Sequence, residues 1–113
     1  MKIKDADVVR YAQMLSAMGT EPRLRIMRLL LSAHPDGLIV MDIQDELGIP
    51  GSTLSHHLEK LKIVGLVRVL REHTCLRYSA NTDVLQELLG FLFAECCSRS
   101  RAVEAKKIFS KCE

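Results

Sequence analysis

Residues 52–67 read STLSHHLEKLKIVGLV, a stretch in which a helical pattern stops and a strand pattern begins. The apolar residues before the break recur at helical spacing: Leu54, Leu58, Leu61 and Val64. This spacing predicts a helix that Gly51 or Ser52 can cap and that Gly65 ends. Residues 66–70 and 75–79 are rich in strand-forming types and flank the polar loop 71–74, which predicts a β-hairpin.

Upstream of this stretch, periodicity and breaker residues predict three more helices. They cover residues 5–18, 20–34 and 42–47, and a very short extended piece lies over 38–40. In the first helix the predicted apolar face is Val8, Tyr11, Ala12, Leu15 and Met18. Downstream, helical spacing returns at Thr82 and continues toward Cys96. The order of elements predicts a mainly α fold with a β-hairpin wing, a winged helix-turn-helix of the form α-α-α-α-β-β-α.

Length and composition are those of one globular domain over residues 1–113. The chain has 113 residues, of which 48% are hydrophobic and 27% charged, and two domains of half this length would each be too small to bury a core. Its longest strongly apolar stretch, residues 84–94, is shorter than the ~20 residues of a membrane span. No export signal is visible at the start of the sequence, so we expect a cytoplasmic protein with reduced thiols.

Two motifs resemble one known family. Residues 19–30, GTEPRLRIMRLL, look like the opening of the second helix in the ArsR/SmtB family of metal-responsive repressors, and residues 52–67 resemble that family's recognition helix and the start of its wing. The resemblance covers roughly residues 8 to 95. It implies a homodimeric transcriptional repressor that binds a pseudo-palindromic operator in double-stranded DNA, and therefore a protein that is not an enzyme.

A set of polar and basic side chains on the predicted helix and wing is the candidate DNA-binding surface. Near the helix N-terminus, where a recognition helix meets base edges and phosphates, stand Ser52, Thr53, Ser55 and His56. Farther along the same helix and on the wing, the candidates for phosphate contacts are Lys60, Lys62, Arg68, Arg71 and Arg77. A solvated polar helix face and ordinary surface arginines are the alternative interpretation. Which bases are read does not follow from short hydroxyl side chains.

Four cysteines make up the candidate effector site. The resemblance implies arsenic(III) sensing, because Cys96-Cys97 is similar to the vicinal pair at the end of the last helix in arsenic-responsive members. Soft thiolates suit a thiophilic centre, so the predicted inducer is arsenite, methylarsenite or antimonite, with no resident cofactor. The predicted third ligand is Cys112, from a folded-back tail or the partner subunit, with Cys75 as the alternative.

Other chemistries have weaker support. Two of the family's effector sites are absent. Residues 38–43 lack the cysteines of its helix-three site, and residues 82–98 lack the histidines of the zinc site on its last helix. His56 and His57 are neighbours, and adjacent helical side chains point about 100° apart, so a shared metal ion is disfavoured. A cysteine-based phosphate or arsenate enzyme needs an arginine six residues after its nucleophile, and Ala102 and Val103 stand there.

Two other functions remain open at this level. One is a regulator of the same fold that responds to thiol oxidation or to another signal. The second is a winged-helix protein-interaction module with incidental cysteines, which would show little salt-dependent affinity for DNA.

Overall fold

Five helices and one small sheet make up the part of the chain that the structure, a computed structural model, describes, residues 5–99. The elements are α1 (Asp5–Met18), α2 (Glu21–Ser32), β1 (Leu38–Ile39), α3 (Val40–Leu47), α4 (Gly51–Ile63), β2 (Val67–Glu72), β3 (Cys75–Ala80) and α5 (Thr82–Phe93). This order confirms the predicted winged helix-turn-helix. Among the helices of this segment, none has the length and apolar character needed to cross a bilayer.

The sheet contains one strand more than predicted. β1 pairs antiparallel with β3, placing Leu38 opposite Tyr78, so the short extended piece becomes the edge of a sheet ordered β1-β3-β2. The β2–β3 ladder runs out to Glu72 opposite Cys75. Because of this pairing, the wing turn is only His73 and Thr74, not the predicted loop over 71–74, and His73 takes a left-handed φ of 57°.

The core forms where α2 and α4 cross beneath the sheet. Its fully buried helical side chains are Met14, Ile26, Met27, Leu30, Ile43, Leu54, Leu58, Leu61 and Leu88. The predicted inner face of α4 is thus confirmed, with Val64 half-buried at its end. Neither Gly51 nor Ser52 caps this helix, however: Pro50 is the N-cap, and its carbonyl accepts a hydrogen bond from the Leu54 amide at 2.8 Å. Ser52 is therefore in the first helical turn and exposed.

The buried face of α1 differs from the predicted one. The structure buries Tyr11, Met14 and Ala17, whereas Val8 and Leu15 are exposed. α1 packs on α2 and α4 with one face and keeps a second apolar face toward solvent. The predicted apolar face, which rested on periodicity alone, therefore combined residues from the buried face and from the exposed face.

The helices α2 and α5 both end earlier than predicted. α2 stops at Ser32 instead of about His34, and a turn over 33–36 follows. α5 stops at Phe93, so Cys96 and Cys97 lie in turns after the last described helix instead of inside it. α5 rests on α1 through the Tyr11 and Phe91 rings, whose centroids are 4.5 Å apart, and through an Arg10–Glu87 ion pair of 3.5 Å.

Asn81 joins the start of α5 to the end of the recognition-helix segment. Its Nδ2 donates to the Gly65 carbonyl at 3.0 Å, and its Oδ1 accepts from the Val84 amide at 3.3 Å. We expect Asn81→Ala to lower the free energy of unfolding by about 1–2 kcal/mol. Asn81→Asp should lower it less, because aspartate keeps the oxygen that accepts the capping hydrogen bond. Urea unfolding at one fixed protein concentration measures this, and an unchanged midpoint for Asn81→Ala would contradict it.

Candidate nucleic-acid interface and thiol site

The outer face of α4 presents the predicted DNA-binding side chains to solvent. α3 ends at Leu47 with Gly48 as its C-cap, and the Gly48 φ of 66° is the left-handed conformation that glycine adopts most readily. Pro50 is the N-cap of α4, which begins at Gly51. With Leu54, Leu58 and Leu61 buried, the opposite face is left outside. Its exposed residues include all six predicted ones, Ser52, Thr53, Ser55, His56, Lys60 and Lys62, together with Glu59 and Ile63.

The electrostatics of α4 suit an anionic backbone. The first turn contains no acidic residue, and both lysines stand in the last turn. The unpaired amides and positive dipole end of a helix N-terminus favour a phosphate, and the lysines extend positive charge along the helix. The exposed face can therefore contact phosphates at both ends and base edges between them.

The three wing arginines have different surroundings. Strand alternation places Arg68 and Arg77 on one face of the hairpin and Arg71 on the other, the face that includes the buried Val67 and Tyr78. Arg77 donates to Glu72 Oε1 at 2.7 Å and to the Gly37 carbonyl at 3.2 Å, and the hydrogen bond to Glu72 raises its pKa.

The arginines therefore differ in their availability to DNA. Arg68 lies 3.9 Å from Asp83, an exposed and loose pair. Arg71 is exposed and forms no ion pair within residues 5–99. Sequence reasoning treated the three arginines alike because it could not show that Arg77 braces the wing against the turn after α2.

A pair of alanine substitutions in the wing tests this difference. Arg71→Ala should weaken DNA binding for every sequence and reduce the slope of log affinity against log salt by about 1, the value for one lost phosphate contact. Arg77→Ala should change this slope less. Fluorescence anisotropy from low to moderate salt gives both slopes; equal reductions would show that Arg77 also reaches a phosphate.

The sulfur atoms of Cys96 and Cys97 lie 3.2 Å apart. The Cys96 amide donates to the Phe93 carbonyl at 2.9 Å, and Cys97 takes a φ of 63°, outside the helical region. On a continuing helix neighbouring side chains would diverge by about 100°. The left-handed backbone at Cys97 thus allows the two thiols to converge. Cys96 is exposed and Cys97 half-buried.

Cys75, the alternative third ligand, lies elsewhere in the fold. It lines a cleft of about 400 Å³ between the wing tip and α4, together with Met41 and Ser55. Within residues 5–99, no three His, Cys, Asp or Glu side chains are grouped closely enough to hold a metal ion, so Cys75 does not join the Cys96–Cys97 pair in one chain. Cys112 lies outside the described residues.

Arg23 and His57 form a contact that sequence reasoning missed. His57 is half-buried and accepts a hydrogen bond at Nδ1 from Arg23 Nε at 3.1 Å. Arg23 Nη1 also donates to the Ala17 carbonyl at 3.3 Å. Arg23 lies in the first of the two motifs that carry the family resemblance, residues 19–30, and His57 lies in the second, residues 52–67. Their membership in these motifs was the signal in the sequence that could have pointed to the contact.

Comparison with known proteins places the chain among transcriptional regulators. A helix-turn-helix domain family model matches residues 18–69. The nodulation protein NolR of Rhizobium meliloti is 32% identical over 97% of this chain and 86% of its own length. A putative arsenical resistance operon repressor, ArsR2 of Halobacterium salinarum, is 35% identical over 71% of this chain and 68% of its own length.

The chain belongs to the ArsR family of winged-helix transcriptional regulators. Its fold also matches the homodimeric winged helix-turn-helix DNA-binding domain of a possible ArsR-family regulator from Mycobacterium bovis, with a TM-score of 0.65 and 27% identity over 90% of this chain and 96% of that one. The relatives are regulators of transcription, which confirms that this ArsR-family chain is a DNA-binding protein and not an enzyme.

Proposed function

We propose that this ArsR-family regulator is a homodimeric repressor that leaves its operator when a trivalent arsenical binds Cys96 and Cys97. The observation that carries the proposal is the 3.2 Å separation of the two sulfur atoms. The relationship to a putative arsenical resistance operon repressor supports the same inducer class.

The sulfur separation is compatible with a pyramidal centre bound to both thiolates. The two sulfur atoms are 3.2 Å apart. A central atom bound to both by bonds of about 2.3 Å, the length of a zinc–sulfur bond, would have a sulfur–centre–sulfur angle of about 90°. Trivalent arsenic and antimony form pyramidal bonds near this angle, whereas tetrahedral zinc requires a wider one. Soft thiolates also favour these thiophilic centres over hard cations. Structural zinc sites use four protein ligands, and residues 5–99 group no more than two here, so zinc is the negative control.

The number of thiolates separates the candidate inducers. Methylarsenite has two positions for sulfur, which Cys96 and Cys97 fill. Arsenite and antimonite accept three, so their full coordination requires Cys112 or a Cys75 supplied by the partner subunit. Removing Cys112 should therefore weaken the response to arsenite more than the response to methylarsenite.

A second copy of the chain is the proposed partner of α1 and α5. Both helices expose apolar side chains: Val8, Val9, Leu15, Leu89, Leu92 and Phe93. Phe93 is 58% exposed and stands three residues before Cys96, so the thiol pair adjoins this apolar face. Covering such side chains removes apolar area from water, which favours association. The homodimeric neighbour from Mycobacterium bovis supports this arrangement.

In this mechanism the inducer acts on the geometry of the dimer. A symmetric dimer places one α4 in each half-site, so the spacing of the two recognition helices determines the fit to DNA. An arsenical bound beside the interface favours a dimer arrangement with a different spacing. It shifts the equilibrium only by its differential affinity for the two arrangements, typically about 1–3 kcal/mol.

Fluorescence anisotropy tests the proposal directly. The reduced protein is bound to labelled DNA from immediately upstream of its own gene and titrated in parallel with methylarsenite, arsenite and zinc. Release by an arsenical at concentrations where zinc has no effect is the expected result. Tight, salt-dependent binding that none of the three alters would reject the arsenic assignment and retain a repressor with another signal. Weak binding independent of salt would favour the protein-interaction module.

A further inference from the structure

We infer that Arg23 is a positioning residue that couples the α1–α5 pair to the recognition helix through its hydrogen bond to His57. The part of this inference that concerns the inducer rests on the proposed function. The part that concerns the orientation of α4 on DNA does not.

One guanidinium group connects three helices. Arg23 stands in the first turn of α2, donates through Nη1 to the carbonyl of Ala17 in the last turn of α1, and donates through Nε to His57 in the middle of α4. A carbonyl in the last turn of a helix lacks an intrahelical donor, and positive charge there is favourable. The planar fork of arginine holds both acceptors in one geometry, which lysine cannot reproduce.

The bond requires a neutral His57. Because Arg23 always donates, His57 Nδ1 must be the unprotonated acceptor, and the ring proton is then on Nε2. The charged or titratable groups around this ring are Arg23 on α2 and His56 and Lys60 on α4, while α1 contributes only Gln13, Ser16 and Ala17 to the adjoining cleft. Burial, followed by Arg23 and His56, lowers the pKa of His57 below 6.5.

α1 is in turn fixed to the helix that precedes the thiols. Tyr11 packs on Phe91 and Arg10 pairs with Glu87, both on α5. We expect a displacement of α5 to shift α1 through these two contacts and so to move the Ala17 carbonyl relative to α4. Arg23 cannot keep both bonds through such a movement unless His57 follows. These contacts provide a continuous route from the segment bearing Cys96 to the side chains that face DNA.

Arg23→Lys and His57→Asn test the route, with Arg25→Lys as the matched control. Lysine keeps the charge and loses the two-acceptor fork. Asparagine places an Oδ1 acceptor close to the position of Nδ1 and does not titrate. Arg25 is on the same helix but bonds only to Glu21 at the surface. Circular dichroism melts first establish that the variants fold.

Inducer coupling is the first readout, measured as the ratio of operator Kd with and without methylarsenite. We expect Arg23→Lys to reduce this ratio by about fivefold or more, which would bring it to the lower end of the values typical of allosteric coupling. Arg25→Lys should keep the wild-type ratio. Methylarsenite binding to the DNA-free protein, followed by ultraviolet absorbance, should be unchanged in both variants. A wild-type ratio in Arg23→Lys would overturn the coupling.

The pH profile is the second readout and needs no inducer. Protonation of His57 removes the acceptor, so wild-type affinity relative to His57→Asn should be constant above pH 6.5 and fall as pH drops through the lowered pKa. The two proteins differ only at position 57, so the ratio reports the effect of this residue. A ratio independent of pH would overturn the positioning role. If no arsenical releases the wild type, the proposed function fails and this profile still decides the role of Arg23.

Discussion

A chain with both Cys96→Ser and Cys97→Ser should bind operator DNA with an affinity within about twofold of the wild type and show no release by arsenicals. The reason is positional: the thiols lie after α5, away from the exposed face of α4, so serine removes the soft ligands without touching the DNA-binding surface. Anisotropy titrations of reduced protein with methylarsenite and arsenite measure both quantities.

Cys75→Ser is the matched control for this experiment. It also removes one exposed thiol, but from the cleft beside the wing. A full methylarsenite response in Cys75→Ser combined with none in the double variant would locate the inducer at the vicinal pair. Loss of DNA binding in the double variant would count against a sensor site and indicate a structural role for these cysteines.

Leu92→Asp should convert the proposed dimer into monomers and lower operator affinity by about 100-fold or more. Leu92 is 53% exposed on α5, and an unpaired charge buried at an apolar interface is costly. The affinity loss follows because two linked recognition helices gain a factor of about 10² to 10⁴ over one. Sedimentation velocity reports the assembly state, and anisotropy reports the affinity.

Leu24→Asp provides the comparison for Leu92→Asp. Leu24 is 50% exposed, nearly the same fraction, but belongs to α2. We expect this variant to remain dimeric and to bind DNA like the wild type. A Leu92→Asp protein that still sediments as a dimer, or a monomer with undiminished affinity, would show that α5 is not the interface.

The sequence predicted features that depend on local periodicity and missed those that depend on distant partners. Leu54, Leu58 and Leu61 were found because one buried face of an isolated helix has a regular spacing. The burial of α1 was predicted wrongly because that helix has two apolar faces. The pairing of β1 with β3 joins residues 38 and 78, and two residues provide no pattern to detect.

The candidate site shows the same division. The exposed positions on α4 follow from its inner face, and the vicinal cysteines are adjacent in sequence. In contrast, the Arg23–His57 bond spans 34 positions, and the pairing of Arg77 with both Glu72 and Gly37 depends on how the wing lies over a turn. The end of α5 at Phe93 was missed because residues 94–96 carry no strong helix breaker.

The two apolar faces of α1 have a consequence for gene control. If a second copy covers the exposed face, as proposed, the DNA-binding species forms by mass action from two chains. At low expression the concentration of dimer then rises with the square of the chain concentration. Operator occupancy by such a dimer would then respond more steeply than the protein level itself, and a small decrease in synthesis would be expected to lower occupancy without any inducer.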